Sequence, residues 1–297
     1  MTRRRIRWVA VVGSVVMAAG VSSACERNAD SPPSAGPFSG QPPVAAPSPE
    51  RVTPGPAMMP SRPCRVPSGA AHRGASFDEP ENTLAAFARA VGAGAPAIEL
   101  DVHWTRDGVP VVIHDPTVDR TTGARGRVDA LTAAEVGALD AGRGQRIPRL
   151  DAVLGMAARS GAQALVELKT VPTPEQARVL VAMLAESRAS YVVHSFLPAA
   201  LEAVRAAQPG APVGLTTGEY VPPEAAARFG SFFNVAKGQV DPARVAAWHG
   251  AGLKVYAWVA DDPESWEALS AAGVDGIVTD RIPAYMVWAR AKCAAQQ

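Results

Sequence analysis

The chain has 297 residues, of which 47% are hydrophobic and 19% charged, and its formal net charge at pH 7 is +1. This size suits one large globular domain or two small ones. The charge balance lacks the basic stripe of a nucleic-acid-binding protein. Beyond the N-terminus, no tract is apolar enough to predict a membrane span.

The first 24 residues resemble an export signal. Four arginines among the first seven residues precede an apolar run over 8–21, and small residues occupy 22–24. This order of positive charge, short apolar core and cleavage site is typical of secretory signal peptides. We therefore expect export to the cell envelope or the extracellular space.

Cys25 directly follows this cleavage site, where bacterial lipoproteins carry their lipid-modified cysteine. Ser22 stands where that motif usually has Leu or Val. Lipidation of Cys25 and an unmodified exported protein are therefore both retained as expectations. A lipid at Cys25 is the one membrane attachment that the sequence predicts.

A proline-rich segment separates the signal from the rest of the chain. Residues 26–60 hold ten prolines in 35 positions, with Ser, Gly and Ala between them. Such a segment cannot bury enough apolar surface to offset the entropy of ordering it. We predict a disordered linker over 25–60 and a single folded domain over 61–297.

Short apolar runs alternate with alanine-rich helical runs through this domain, a pattern that predicts a parallel sheet covered by helices. Closed on itself, a sheet of eight strands is a TIM-type (β/α)8 barrel. An open doubly wound sheet is the alternative, but no glycine-rich dinucleotide fingerprint follows the first strand. The predicted strands cover 69–73, 97–103, 164–169, 191–196, 212–217, 232–236, 253–258 and 274–279, and the predicted helices cover 83–94, 150–160, 174–187, 197–208, 242–252 and 263–273.

Polar side chains collect near the C-terminal ends of the predicted strands, where barrel enzymes carry their active sites. Charges in a buried strand are costly unless they are paired or bind a metal, so these positions are candidate site residues. They are His72 and Arg73 on the first strand, Glu99 and Asp101 on the second, Glu167 and Lys169 on the third, and Trp258 on the seventh.

Three carboxylates form a candidate metal site. Glu99 and Asp101 are two residues apart and point to the same face of a strand, and Glu167 can converge from the neighbouring strand. Carboxylate oxygens suit one hard divalent cation, Mg²⁺ or Ca²⁺. The alternative is that Glu99 and Asp101 only form salt bridges with Arg73 and Lys169.

Two histidines are candidates for acid–base catalysis. His72 ends the first strand beside Arg73, and His114 follows the apolar run 109–113. Two imidazoles facing a metal-bound phosphate can act as general acid and general base. Arg73 and Lys169 are suited to clamp that phosphate. The other histidines, His103, His194 and His249, are interpreted as structural.

The segment Pro80–Thr83 predicts an ordered turn before a helix. Pro80 fixes the turn, and Asn82 and Thr83 are interpreted as helix-initiating residues. Glu81 is a candidate to reach His72 or a metal-bound water. Further along, residues 104–114 predict a hairpin that carries His114 over the barrel mouth.

Trp258 has two interpretations. At the end of the seventh predicted strand it could form one wall of the pocket, and a core tryptophan is the alternative.

Taken in order, these motifs resemble the glycerophosphodiester phosphodiesterase family. The resemblance covers almost the whole predicted domain. The matching stretches are HRG (72–74), PENT (80–83), ELDVHWTRDGVPVVIHD (99–115), DRTTGARG (119–126), IPRLDAVL (147–154), ELK (167–169), SF (195–196), Trp258 and DGIVTD (275–280).

The resemblance implies a TIM-type barrel that uses a divalent metal to hydrolyse glycerophosphodiesters to glycerol 3-phosphate and an alcohol. It implies His72 and His114 as the acid–base pair and Arg73 and Lys169 as phosphate contacts, with Glu99, Asp101 and Glu167 as metal ligands. Val259 stands where the family usually has Thr, which leaves the pocket wall open. Three further points stay open: which histidine is the acid and which the base, which alcohol headgroup the substrate carries, and whether the nucleophile is water or the substrate's own hydroxyl.

A disulfide is expected at the bottom of the barrel. Cys64 precedes the first strand and Cys293 ends the last helix, so a closed barrel brings them near each other. Export permits a disulfide between them.

Four alternatives remain. A phospholipase-D-like barrel and a phosphatidylinositol-phospholipase-C-like barrel acting on lipids would share the histidine chemistry. A catalytically inactive phosphodiester-binding surface protein would keep the pocket without turnover. A structural surface lipoprotein would need no charges at the strand ends.

Overall fold

The computed structural model describes residues 66–295, in which the apolar runs form nine strands. The predictions for the export signal, the linker, Cys25 and Cys64 concern residues outside this range. The strands are Ser68–Ala71 (β1), Ala97–Trp104 (β2), Pro110–Val112 (β3), Gln163–Leu168 (β4), Tyr191–Ser195 (β5), Val213–Thr217 (β6), Phe232–Ala236 (β7), Lys254–Trp258 (β8) and Gly276–Thr279 (β9).

Eight of these strands close into a parallel barrel. The order around it is β1-β9-β8-β7-β6-β5-β4-β2, and β1 also pairs with β2 to complete the ring. Strand β3 pairs antiparallel with β2, as the hairpin prediction requires. The predicted TIM-type barrel is confirmed, and the open-sheet alternative is wrong because the first and last strands both find partners.

Nine α-helices of the described chain connect the strands. They are Leu84–Gly92 (α1), Ala133–Ala138 (α2), Leu150–Ser160 (α3), Pro174–Ser187 (α4), Pro198–Ala207 (α5), Pro223–Ala227 (α6), Pro242–Gly250 (α7), Pro263–Ala272 (α8) and Ile282–Ala295 (α9). Short 3₁₀ turns lie at Val128–Ala130 and Lys237–Gln239.

Local sequence explains where several helices begin. Thr173, Asp241 and Asp262 cap α4, α7 and α8 by accepting a hydrogen bond from a backbone N–H of the first turn. Each is followed by proline, whose fixed φ suits the first helical position and whose missing N–H needs no partner there.

The alternation of the strands separates two cores. One set of strand residues, such as Ile98 and Leu100, packs outward against the helices. The other set fills the barrel interior and ends in a small apolar cluster that includes Ala97, Leu165 and Phe232. Because successive side chains point to opposite faces, residues two and four positions after Ala97 lie on the same inner face. Those residues are Glu99 and Asp101.

Residues between β3 and α3 gather around a second small core. This core includes Val118, Val128 and Val136. It packs on the β2–β3 hairpin through Val111 and Ile113, and so fixes the segment that carries His114.

Between residues 66 and 295, every helix is too short or too polar to cross a membrane.

Candidate active site

The turn after β1 places His72 and Arg73 at the barrel mouth. Arg73 and Gly74 have φ values of +55° and +85°. A Cβ at Gly74 would lie 2.7 Å from atoms of Ala86 in α1, so only glycine fits this close approach. The turn also aims the backbone N–H of Arg73 at Oε2 of Glu99, 3.0 Å away.

Glu99, Asp101 and Glu167 converge on one point of the barrel interior. Asp101 on β2 is the register partner of Glu167 on β4. One oxygen from each of the three carboxylates lies within 4.8 Å of the others. Glu99 and Asp101 are only 2% and 1% exposed, so water cannot screen their mutual repulsion.

Two cations reach this cluster but do not balance it. Lys169 Nζ lies 2.5 Å from Oε1 of Glu167 and 3.0 Å from Oδ1 of Asp101, and Arg73 Nε lies 3.3 Å from Oδ2 of Asp101. Oδ1 of Asp101 nevertheless makes no hydrogen bond of good geometry. Three buried carboxylates with two cations and an unsatisfied oxygen fit a divalent cation with oxygen ligands.

The pKa values reflect this uncompensated charge. Burial, together with Asp101, raises the pKa of Glu99 to about 8. Burial and Asp101 likewise raise the pKa of Glu167. Burial alone would raise the pKa of Asp101 too, but Lys169 and Arg73 outweigh it and lower that pKa to about 2. A cation bound among the three groups would favour their ionised forms.

Asn82 holds Asp101 in place, which corrects its interpretation as a helix-initiating residue. Asn82 Nδ2 donates to Oδ2 of Asp101 at 2.7 Å. Thr83 alone caps α1, accepting from the backbone N–H of Ala86. Asn82 has a φ of +56°, a left-handed conformation that Asn tolerates better than most residues.

Each predicted catalytic histidine forms a pair with an aspartate. His72 Nδ1 lies 2.6 Å from Oδ1 of Asp280, and His114 Nδ1 lies 2.6 Å from Oδ1 of Asp115. Both carboxyls have lowered pKa values and are ionised at neutral pH. Burial would raise the pKa of Asp280, but the hydrogen bonds that it accepts from His72 and Ser76 and the positive charge of Arg73 together outweigh burial. The hydrogen bonds from Arg120 lower the pKa of Asp115. An ionised carboxylate only accepts, so each Nδ1 carries the proton and each Nε2 is left for chemistry.

The two histidines differ in their affinity for a second proton. Burial lowers the pKa of His72, but Asp280 and Glu99 outweigh it and the net pKa is raised. Burial dominates at His114, despite the hydrogen bond to Asp115, and its pKa is lowered. Opposite shifts of this kind supply one proton donor and one proton acceptor.

Glu81 contacts the phosphate-binding candidate Arg73. Its Oε1 accepts from Arg73 Nη1 at 3.1 Å. Both Glu81 oxygens also accept from Arg120, at 2.8 Å each.

A cavity of about 220 Å³ lies at the carboxyl ends of the strands. Its charged and imidazole lining consists of His72, Arg73, Glu99, His114, Glu167 and Lys169. Trp258 forms part of its wall and meets Phe196 edge-to-face, with ring centroids 5.5 Å apart. Of the two interpretations of Trp258, the structure shows the pocket wall. The lining also includes Thr216, Asn234 and Val278.

Comparison with known proteins identifies the family. Residues 72–284 match the profile of the glycerophosphoryl diester phosphodiesterase family. The chain belongs to this family. The match spans every motif on which the resemblance was based, and that prediction is confirmed.

Individual members of the family align with this chain over most of their own length. The glycerophosphodiester phosphodiesterase of Caldanaerobacter subterraneus subsp. tengcongensis is 36% identical over 229 residues, covering 71% of this chain and 92% of that protein. The crystal structure of the glycerophosphodiester phosphodiesterase from Agrobacterium tumefaciens C58 has a TM-score of 0.67 at 29% identity, covering 75% of this chain and all of the other. A phosphodiesterase from Oleispira antarctica, solved with the product sn-glycerol-3-phosphate, has a TM-score of 0.66 at 26% identity, covering 76% of this chain and 97% of the other.

The remaining histidines lie in supporting positions of this phosphodiesterase barrel. His103 Nε2 is 3.1 Å from the carbonyl of His114, and His249 pairs with Asp275. His194 is fully buried, with its Nδ1 2.8 Å from Oγ1 of Thr216.

Of the two predicted disulfide partners, only one is described. Cys293 is disulfide-bonded. Cys64 lies outside the described residues, so their pairing stays a prediction.

Sequence reasoning missed four side chains that support the phosphodiesterase site: Asn82, Asp115, Arg120 and Asp280. Asp280 directly follows a strand-like run and Asp115 comes one residue after His114, so both lie near the signal that selected the two histidines. Arg120 lies in a loop with no such signal, and only the folded structure shows what it contacts.

Proposed function

We propose that this phosphodiesterase is an exported enzyme that hydrolyses glycerophosphodiesters to glycerol 3-phosphate and an alcohol, with a divalent metal and two histidines. The observation that carries the proposal is the convergence of three elements on one pocket. They are the buried carboxylates, the cations Arg73 and Lys169, and the two His–Asp pairs. The product bound in the Oleispira antarctica relative supports the choice of substrate.

Glu99, Asp101 and Glu167 would hold Mg²⁺ or Ca²⁺, which when bound supplies a Lewis acid that polarises the phosphoryl oxygens. Beside them, Arg73 and Lys169 bring fixed positive charge to the phosphate. Both side chains are largely buried, and both are held by carboxylates. They are therefore already oriented to stabilise the extra negative charge of the transition state.

The histidines move the protons. One imidazole Nε2 accepts a proton from the attacking hydroxyl as its oxygen bonds to phosphorus. The other gives a proton to the alcohol oxygen as the phosphorus–oxygen bond breaks, so no free alkoxide forms. Asp280 and Asp115 keep the rings oriented and stabilise whichever ring is charged. Water as the nucleophile gives glycerol 3-phosphate directly. The substrate's own glycerol hydroxyl would form a cyclic phosphate, which a water then opens to glycerol 3-phosphate with the two histidines in exchanged roles.

Export completes the proposal and is supported by the sequence pattern of residues 1–25. Cleavage after residue 24 and lipid on Cys25 have separate signatures. Mass spectrometry of the mature N-terminus from the producing cell distinguishes a lipidated Cys25, an unmodified Cys25 and an uncleaved chain.

The catalytic test is the release of glycerol 3-phosphate from glycerophosphocholine by the full chain, with and without EDTA. His72→Ala and His114→Ala are measured beside His249→Ala, a matched control because His249 pairs with Asp275 outside the pocket. We expect activity that requires metal and both pocket histidines and is unchanged in the control.

Failure has two informative forms. Activity on lysophosphatidylcholine with none on glycerophosphodiesters would redirect the proposal to a lipid-directed barrel. A folded protein that binds metal and phosphodiester without turnover would establish the inactive binding protein instead.

A further inference from the structure

Arg120 joins two carboxylates that belong to different parts of the site. It lies between β3 and α2, and its guanidinium spans Asp115 and Glu81. Its Nε donates to Oδ2 of Asp115 at 2.6 Å and one Nη donates to Oδ1 at 3.1 Å. The two Nη groups donate to Oε2 and Oε1 of Glu81 at 2.8 Å each.

Each of these carboxylates holds a predicted functional side chain on its other side. Asp115 accepts from Nδ1 of His114 at 2.6 Å, and Glu81 accepts from Arg73 at 3.1 Å. A continuous chain of charge-assisted hydrogen bonds therefore runs from Arg73 through Glu81, Arg120 and Asp115 to His114.

This chain of hydrogen bonds connects two segments that are distant in the sequence. Glu81 and Arg73 belong to the turn between β1 and α1, whereas Asp115 and His114 follow the hairpin strand β3. Without a cation between them, the carboxylates of Glu81 and Asp115 would repel each other. The planar fork of arginine can bind both at once, which a lysine ammonium cannot do with the same geometry.

We propose that Arg120 is a positioning residue that sets the distance and orientation between His114 and the phosphate-binding Arg73. Arg120 lies outside the set of residues that line the pocket, and it acts through Asp115 on one side and Glu81 on the other. The inference rests on the proposed function, since it assigns a part in that reaction to a residue outside the pocket.

The two sides predict different kinetic effects. Loss of the Asp115 side frees the imidazole of His114 to rotate, which lowers the rate of proton transfer and thus kcat. Loss of the Glu81 side loosens Arg73, which weakens phosphate binding and raises KM. If Arg120 only stabilised the fold, loss of the Asp115 side would not act mainly on kcat and loss of the Glu81 side would not act mainly on KM.

The test compares the full-chain variants Arg120→Met, Asp115→Asn, Glu81→Gln and the double variant Arg120→Met/Asp115→Asn on glycerophosphocholine. Arg127→Met is the matched control, because Arg127 forms a similar exposed two-bond pair with Asp129 in the same segment. Thermal unfolding of every variant is measured alongside the kinetics.

We expect Arg120→Met to lower kcat about ten- to a hundredfold, the range typical of groups that orient a functional side chain. Asp115→Asn should reproduce the fall in kcat, and Glu81→Gln should reproduce the rise in KM. The double variant should be no slower than the slower single variant, since both changes break the same connection.

Arg120→Lys keeps the positive charge and serves as a second variant in case Arg120→Met does not fold. It should unfold at the wild-type temperature yet lose part of kcat. Any of three outcomes would overturn the proposal. The kcat losses of the two single variants multiply in the double variant, Arg120→Met is no slower than Arg127→Met, or Arg120→Lys has wild-type kinetics. An inactive wild type would instead overturn the proposed function, and is recognised before any variant is compared.

Discussion

Asn82 and Asp101 are joined by two hydrogen bonds, from Asn82 Nδ2 to Asp101 Oδ2 at 2.7 Å and from the Asp101 backbone N–H to Asn82 Oδ1 at 3.4 Å. The turn before α1 thus fixes the rotation of a carboxylate deep in the barrel. That carboxylate is also contacted by Lys169 and Arg73. The turn and the predicted metal site are therefore one structural unit.

Replacing Asn82 should weaken metal binding. Both Asn82→Gly and Asn82→Ala remove the amide, but only glycine accepts the φ of +56° without strain. We expect both variants to bind Mg²⁺ or Ca²⁺ about ten- to a hundredfold more weakly. Ala should in addition unfold at a lower temperature than Gly. Metal titration by calorimetry and thermal unfolding measure the two effects, and wild-type metal affinity of Asn82→Gly would contradict the role of the amide.

Divalent metal should stabilise the fold. The buried carboxylates repel one another when ionised, and a bound cation removes that cost. At a hundredfold excess over Kd, binding adds about 2.7 kcal/mol, a rise in unfolding temperature of roughly 5–10 °C for a domain of this size.

This effect is measured by thermal unfolding with Mg²⁺ and then with EDTA. Glu167→Gln should lose the metal-dependent rise. Glu175→Gln on the surface of α4 is the matched control and should retain it. An equal rise in both variants would show that the cation binds elsewhere.

Asp115 should contribute acid-sensitive stability. The hydrogen bonds from Arg120 lower the pKa of Asp115 to about 2, against an ordinary value of 3.8. The folded state therefore binds this proton less readily than the unfolded state. The stabilisation is complete above about pH 4 and is lost as pH falls towards 2.

Urea denaturation of wild type and Asp115→Asn between pH 6 and pH 3 tests this sign. Asp115 is 24% exposed, so we expect a discounted difference of about 1–2 kcal/mol at pH 6 that shrinks towards pH 3. A difference that grows on acidification would show that the assigned direction of the pKa shift is wrong.

Phe196 should influence the choice of alcohol. It is 41% exposed and meets Trp258 at the pocket wall, so its removal changes the pocket with little effect on the core. Phe196→Ala should raise KM about tenfold for glycerophosphodiesters with an apolar alcohol. A tenfold change corresponds to the loss of roughly 1.4 kcal/mol of contact between the ring and the alcohol. An equal change in KM for glycerophosphoethanolamine and for a glycerophosphodiester with an apolar alcohol would exclude a role of Phe196 in selectivity.

The predicted Cys64–Cys293 disulfide has a direct chemical test. Peptide mapping under non-reducing conditions should yield a linked peptide that contains both cysteines. In the chain-entropy model, a link over so long a loop stabilises by roughly 5 kcal/mol, so reduction should lower the unfolding temperature. A linked peptide with Cys25 in place of Cys64 would contradict the pairing.

The sequence predicted the barrel because its information is local. Strand runs such as 164–169 and helices such as 150–160 and 174–187 carry their own periodicity, and the observed elements coincide with them within one or two residues. The inner face of β2 could be read in the same way, since Glu99 and Asp101 follow the two-residue period of a strand.

The supporting contacts could not be read from the sequence because they join residues distant in sequence. Asp280 lies 208 positions from His72, and Arg120 lies 39 positions from Glu81. Asn82 was misinterpreted for a related reason. Its position before a helix has a sufficient local explanation, so nothing local indicated a second role towards Asp101.

The pairing of β1 with β9 has a consequence for synthesis of the protein. His72 leaves the ribosome early, but Asp280 and strand β9 are among the last parts of the domain to be made. Until then the sheet has an open edge and the histidine lacks its partner carboxylate. Enzymatic competence therefore requires the last strand of the barrel, and we expect a chain that terminates before Thr279 to lack activity even though it contains every predicted metal ligand and both histidines.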